Sequence, residues 1–217
     1  MQPCDLSAVE ARALIGAKKL SPRELLDSCI RQIEAVDPAV NAMVARDFDR
    51  AKKLAAEAEA AVMRGDKLGA LHGLPLGVKD LQDTEGLRTT HGSVLFKDNV
   101  PKRDALIVAA CKRAGAIVVG KTNTPEWGAG ANTRNAVYGV TANPFDTTKS
   151  AAGSSGGSGV VLATNMVPIA TGSDTGGSLR NPAAYNGITA IRPTPGLVPA
   201  DGRPLGWNPL SVLGPMA

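Results

Sequence analysis

The sequence predicts an α/β fold, a sheet covered by helices on both faces, and three observations point to it. Short aliphatic runs at residues 74–78, 116–119 and 167–171 have the length and composition of buried strands. They alternate with segments of helical pattern, as a sheet with helical crossovers requires. All three lead into a lysine or into polar chain dense in glycine and serine, the kind of segment that collects at strand ends.

The first third of the chain reads as helical. Ser21-Pro22-Arg23-Glu24 is a capping box with proline at the first helical position, opening a helix predicted to end before Asp37-Pro38. Leu26, Ile30 and Ile33 share a stripe with Cys29, so Cys29 is expected in the core. A short strand over 40–45 precedes a helix over 47–64 closed by Gly65. Residues 1–66 are thus a mainly helical segment, and residues 67–217 form the expected catalytic α/β core of one domain. There the strand at 74–78 delivers Lys79 and Asp80 at its end, and a helix over 104–114 feeds the strand at 116–119. Residues 121–150 lack periodicity and read as ordered loops. A Gly/Ser stretch at 153–159 leads into an apolar helix over 160–165, and a second such turn, 172–178, follows the strand at 167–171. Residues 193–217 read as a Pro/Gly-rich loop ending without a capped element, which predicts a chain incomplete at that end.

Composition narrows the function classes. A chain of 217 residues suits one domain with a sizeable core. The net charge of +4 is spread thinly, with no basic block interleaved with aromatics, which argues against nucleic acid as a partner. Cys4, Cys29 and Cys111 lie far apart with no metal-ligand spacing, so neither disulfides nor structural zinc are expected and a reducing compartment, the cytoplasm, is. The N-terminal MQPCDLSAVEARAL lacks the apolar core of a signal peptide. No apolar run approaches the roughly 18 residues of a membrane span.

Two motif matches fail on context. Gly115-Ala-Ile-Val-Val-Gly120-Lys121-Thr122 fits the phosphate-loop pattern, but its middle residues have strand composition and no helix start follows. Gly153-Ser-Ser155-Gly-Gly157 fits the nucleophile elbow, which needs an acid and a histidine downstream. His72 and His91 both lie upstream, so that alternative requires a histidine beyond residue 217. Neither histidine has companions at ligand spacing, and both are expected in structural or solvent roles.

The two Gly/Ser stretches carry more. The glycines of Gly172-Ser-Asp-Thr-Gly176-Gly177-Ser178 open backbone conformations closed to other residues. Such a turn can aim successive N–H groups at an oxyanion beside the Ser178 hydroxyl, or it can be an ordinary glycine-rich loop. Gly153-Ser154-Ser155-Gly-Gly-Ser158 opens a helix, and its dense hydroxyls suggest a hydrogen-bond relay. Without histidine, a serine can be deprotonated by a neutral lysine, and burial lowers a lysine pKa by several units. Lys79 follows an apolar run, and its neighbour Asp80 should point to the opposite face of the strand. Spacing alone does not separate this reading from a lysine that snorkels to solvent.

At these residues the chain resembles the amidase signature enzymes. The resemblance is most specific at the two Gly/Ser stretches, the second extending to Arg180, whose serines Ser154 and Ser178 stand 24 residues apart. Gly77-Val-Lys79-Asp80, Gly120-Lys-Thr-Asn-Thr-Pro-Glu126 and Arg192-Pro-Thr-Pro-Gly196 support it, and Ala152 departs from it where glycine is usual. The resemblance implies a mixed sheet and a chain that continues well past residue 217. It also implies a Ser-Ser-Lys triad. Ser178 would attack the amide carbonyl, and Ser154, next to a cis peptide bond, would relay the proton to Lys79. Backbone N–H groups of Thr175, Gly176, Gly177 and Ser178 would hold the oxyanion, with Ser155 nearby. Arg180 is expected to steady the turn, with binding of an acidic substrate group as the alternative.

The implied function is hydrolysis of a small carboxamide through an acyl-enzyme, without metal or cofactor and with no partner beyond further copies of the chain. Two alternatives stand beside it. One is the glutamine-hydrolysing component of a transfer-RNA-dependent amidotransferase, which the segment Asn123-Thr-Pro-Glu-Trp-Gly-Ala-Gly130 resembles less than it does general amidases. The other is a catalytically silent binding protein that keeps the fold.

Overall fold

The computed structural model describes residues 2–201 and 208–217. Two helices open the chain, α1 (Ala8–Gly16) and α2 (Pro22–Val40), each entered through a reciprocal capping box, at Ser7/Glu10 and Ser21/Glu24. Contrary to expectation, α2 does not stop before Asp37-Pro38. It continues to Val40 because the chain beyond Pro38 is held from outside the helix. The buried Asp37 carboxylate accepts the N–H groups of Ala42 (2.7 Å) and Met43 (2.9 Å) and pairs with Arg46. Asn41, in the left-handed region at φ 51°, supplies the actual cap. The strand that follows, β1 (Met43–Arg46), therefore starts three residues later than expected.

Next come α3 (Phe48–Arg64), closed by Gly65 at φ 81°, then β2 (Pro75–Lys79), α4 (Leu106–Arg113) and β3 (Ile117–Thr122). Because β3 runs through Gly120-Lys121-Thr122, the phosphate-loop match is strand and not a loop. Beyond the last two residues of β3, the stretch 121–150 holds a hairpin of two-residue strands, β4 (Arg134–Asn135) and β5 (Gly139–Val140), and a turn of 3₁₀ helix. Then α5 (Gly156–Ala163), β6 (Ile169–Asp174), α6 (Arg180–Asn186) and β7 (Val212–Met216) complete the order.

The main sheet has strand order β1-β3-β2-β6-β7. Strand β2 is parallel to β3 and β6, while β1 and β7 are antiparallel edge partners, so the sheet is mixed. The mainly helical segment expected over 1–66 thus lends β1 to the sheet of the core expected over 67–217. Alternation along the strands sends side chains to two apolar layers. Ile117, Val119 and Ala170 join α2, α3 and α5 on one side, while Leu76, Val78 and Val118 meet Val108 of α4 on the other. Cys29 is fully buried, as its stripe predicts.

Three boundaries differ because their partners are remote in sequence. Strand β6 extends through Gly172, Ser173 and Asp174 because β7 pairs with it from Ala170↔Met216 to Asp174↔Val212. The free glycine turn shrinks accordingly to residues 175–178. The loop expected over 193–217 contains β7, whose Pro215 is tolerated on an edge strand; residues 202–207 of that loop lie outside the described residues. Helix α5 starts four residues early, inside the Gly/Ser run, because its glycines serve close packing: a Cβ on Gly157 would sit 2.3 Å from the Asn123 nitrogen.

Candidate active site

Lys79 ends β2 on the face toward α5 and is wholly buried. Its Nζ lies 2.8 Å from Ser154 Oγ, 2.8 Å from Ser155 Oγ and 2.9 Å from Ser173 Oγ. Ser154 follows a cis peptide bond from Gly153. Ala152, the position where the resemblance leads one to expect glycine, is in the left-handed region at φ 59°, a conformation that disfavours a side chain.

The protons of this cluster can be counted. An ammonium has three N–H groups for three hydroxyl oxygens, whereas a neutral amine has two and must accept from the third hydroxyl. Ser155 is already committed: its O–H donates to the Ser173 carbonyl (3.3 Å) and its oxygen also accepts the Ser173 N–H (3.3 Å). The hydroxyls left to face the amine lone pair are those of Ser154 and Ser173. Burial pushes the Lys79 pKa down to about 7, the Asp174 carboxylate acting in the opposite sense. Both protonation states are therefore within reach near neutrality, as a base requires.

Asp80 points away from this cluster, as alternation predicts. Its carboxylate accepts the Thr90 hydroxyl at 2.6 Å, and burial raises its pKa against the pull of Lys121. Lys121, also wholly buried, donates to the Gln82 carbonyl and to Thr84 Oγ1 (3.0 Å), and burial lowers its pKa to about 8.

The glycine turn is organised by a residue that sequence reasoning missed, Asp174. Its buried carboxylate accepts the N–H groups of Gly177 (2.8 Å) and Leu179 (3.2 Å). Arg180 forks onto it through Nε (3.0 Å) and a terminal nitrogen (3.1 Å), and Arg192 binds it at 2.9 Å. Burial alone would raise its pKa, but the Arg180 bond and the two backbone N–H bonds outweigh it and hold the carboxyl well below the usual range. The available signal was an acid just past a predicted strand with Arg180 and Arg192 downstream, since a buried carboxylate needs partners. Arg180 thus binds the carboxylate on which the turn hangs.

Ser178 sits half-buried just before α6, and its hydroxyl makes no hydrogen bond among the described residues. No direct bond joins it to Ser154. Of the four expected oxyanion donors, the Gly177 N–H is engaged by Asp174, a correction that leaves Thr175, Gly176 and Ser178 with N–H groups lacking an acceptor among the described residues. Gly177 itself has φ 113°, and a Cβ there would lie 2.7 Å from Asn181 Nδ2. Asp174→Asn is expected to cost about 2–3 kcal/mol of stability, because two guanidinium groups lose their anion. Thermal melts check this, and an unchanged melting temperature would mean that other contacts hold the turn.

The elbow alternative loses its geometry. Ser155 is fully buried at the N-cap of α5, preceded by a bend and not a strand, with its hydroxyl spent on Ser173 and Lys79. His72 Nε2 lies 3.0 Å from the Ala58 carbonyl, and the His91 ring stacks on Trp127 at 5.3 Å. Ser173 is the other missed member of the cluster; alternation along β6 puts it on the face of Thr171, the signal that could have found it. Among the described residues no group of three His, Cys, Asp or Glu side chains is arranged to hold a metal, and no helix is long and apolar enough to cross a membrane.

Fold and site define an α/β protein built around a lysine–serine centre. The chain belongs to the amidase family, whose model matches residues 24–217. It is 45% identical over 88% of its length to a glutamyl-tRNA(Gln) amidotransferase subunit of Aromatoleum aromaticum, covering 39% of that protein. It is 40% identical over 89% of its length to an acylamidase of Rhodococcus erythropolis, covering 41% of that enzyme. Among solved structures, a bacterial aryl acylamidase of the amidase signature family superimposes with a TM-score of 0.92 at 35% identity over 97% of this chain and 44% of that one. A fatty acid amide hydrolase gives 0.88 at 29% identity over 99% and 39%. The chain thus spans about two fifths of the length of the relatives it matches.

Proposed function

We propose that the protein hydrolyses the C–N bond of small carboxamides through an acyl ester on Ser178, with Lys79 as the base acting through Ser154. The observation that carries this reading is the buried Lys79 Nζ, 2.8 Å from Ser154 Oγ, with its pKa drawn down to about 7. Ser178 Oγ attacks the amide carbonyl and gives its proton to Ser154, whose own proton passes to the Lys79 amine. Collapse of the tetrahedral intermediate breaks the C–N bond as the relay runs backward and protonates the leaving nitrogen. Water then attacks the ester by the same route, releasing the acid. The Ser154–Ser178 contact forms in the substrate complex, since catalytic hydrogen bonds often close only there. The N–H groups of Thr175, Gly176 and Ser178 hold the oxyanion, each such donor being worth about 3 kcal/mol.

The chemistry as written needs no cofactor. The three free cysteines, Cys4, Cys29 and Cys111, support a cytoplasmic location. Fluorophosphonate labelling tests the proposal: the Ser178 Oγ–P bond forms, the P–F bond breaks, fluoride leaves and the hydroxyl proton goes to the relay. Peptide mapping by mass spectrometry is expected to find the adduct on Ser178, and an adduct on Ser155 or none would overturn it. The 45% identity to an amidotransferase component favours a second reading, glutamine hydrolysis in a complex. Copurification of a partner whose presence switches on glutaminase activity would establish that one instead.

A further inference from the structure

Gln82 is 3% exposed, and its side chain is spent on strand β6. Its Oε1 accepts from the Thr171 hydroxyl at 2.5 Å, and its Nε2 donates to the Gly172 carbonyl at 3.3 Å. The Thr171 oxygen in turn accepts the main-chain N–H of Lys79 at 3.0 Å. The backbone of Gln82 is pinned as well, its N–H donating to the Lys79 carbonyl at 3.0 Å and its carbonyl accepting from Lys121.

These bonds stand where sheet pairing has run out. Strands β2 and β6 pair at Leu76↔Ile169 and Gly77↔Ala170 and no further. Lys79, Thr171 and Ser173 all lie past the last pair, where two parallel strands are free to splay. Any splay there is felt between Lys79 Nζ and Ser173 Oγ, now 2.9 Å apart. An apolar side chain of similar volume would fill the space of Gln82, but only directional bonds to β6 fix a separation.

We infer that Gln82, acting through Thr171, is a positioning residue that sets the spacing of β2 and β6 at the catalytic lysine. Gln82 makes no bond to Lys79 Nζ; its effect reaches the amine through the Thr171 hydroxyl and the Lys79 backbone. The inference rests on the reading of Lys79 as the base, and its test separates the two.

The test measures fluorophosphonate labelling of Ser178 in the intact protein, resolved into kinact and KI. Gln82→Met keeps length and loses both side-chain bonds, and Thr171→Val keeps shape and loses the hydroxyl. Each is expected to lower kinact about tenfold while KI stays within about twofold, since misplacement of a reacting group acts on the chemical step. The double variant is expected to be no slower than the slower single one, because both cut the same link. Thr171→Ser, which retains the hydroxyl, is expected to restore most of what Thr171→Val loses. Thermal melts confine the comparison to folded protein; should Gln82→Met fail to fold, the Thr171 Val/Ser pair decides. Parent-like kinact in these variants, losses that multiply independently, or a fall in KI affinity alone would overturn the inference. Lys79→Ala labelled at the parent rate would instead remove the base assignment itself.

Discussion

Lys79→Met is expected to abolish turnover, by about 10³–10⁴-fold if the lysine supplies general base catalysis, and at the same time to compare better with the parent in stability at pH 7 than at pH 10. The two effects share one cause. Burial holds the folded-state pKa at about 7, below the value near 10.5 of an exposed lysine. Between those values the unfolded chain binds the proton more readily, so stability rises with pH across that window and the cost is present in full below it. Methionine carries no such cost, though it leaves the hydroxyls of Ser154, Ser155 and Ser173 without their amine partner, so the melting temperature of the variant relative to the parent should fall from pH 7 to pH 10, as melts at both values would show. On the proposed reading of Lys79 as the base, only the neutral amine of the parent is competent. Kcat/KM should therefore climb about tenfold per pH unit below pH 7 and level off above it. A flat profile between pH 5 and 8 would remove Lys79 from the role of base.

Ser178→Ala is the second large effect. It should eliminate the fluorophosphonate adduct and reduce amide turnover by about 10⁴-fold or more, as loss of a nucleophile does. The Ser178 hydroxyl makes no hydrogen bond among the described residues and is half-buried, so stability should move by no more than about 0.5 kcal/mol. A stable, inactive Ser178→Ala beside a destabilised Asp174→Asn would separate the reacting group from the frame that holds it. Residual turnover at a tenth of the parent rate or better would point to another nucleophile.

Much of this centre was legible before any coordinates. Lys79, Ser154 and Ser178 stand out through the resemblance of their motifs to the amidase signature, while the residues alone left an ordinary glycine loop and a snorkelling lysine open. Local capping likewise located the start of α2 and the end of α3. What escaped was set by partners far along the chain. Strand β6 outruns its expected end because β7, some forty residues on, pairs with it. Pro38 fails to stop α2 because Asp37 reaches forward to Ala42 and Met43. Asp174, Ser173 and Gln82 were visible as letters, but their importance lies in depth and direction, which only packing assigns. Gly177 shows the converse: its place in the motif is plain, yet its N–H serves a carboxylate three residues back.

The lowered pKa of Lys79 comes from dryness, since the carboxylate that acts on it, Asp174, pulls toward the charged form. On the proposed reading of Lys79 as the base, competence is a matter of waterproofing. A leak at the seams around Val78 or the α5 glycines, opened by mild urea or a shaved side chain, recharges the amine while every helix and strand persists. Such a protein would lose its neutral amine before it comes apart.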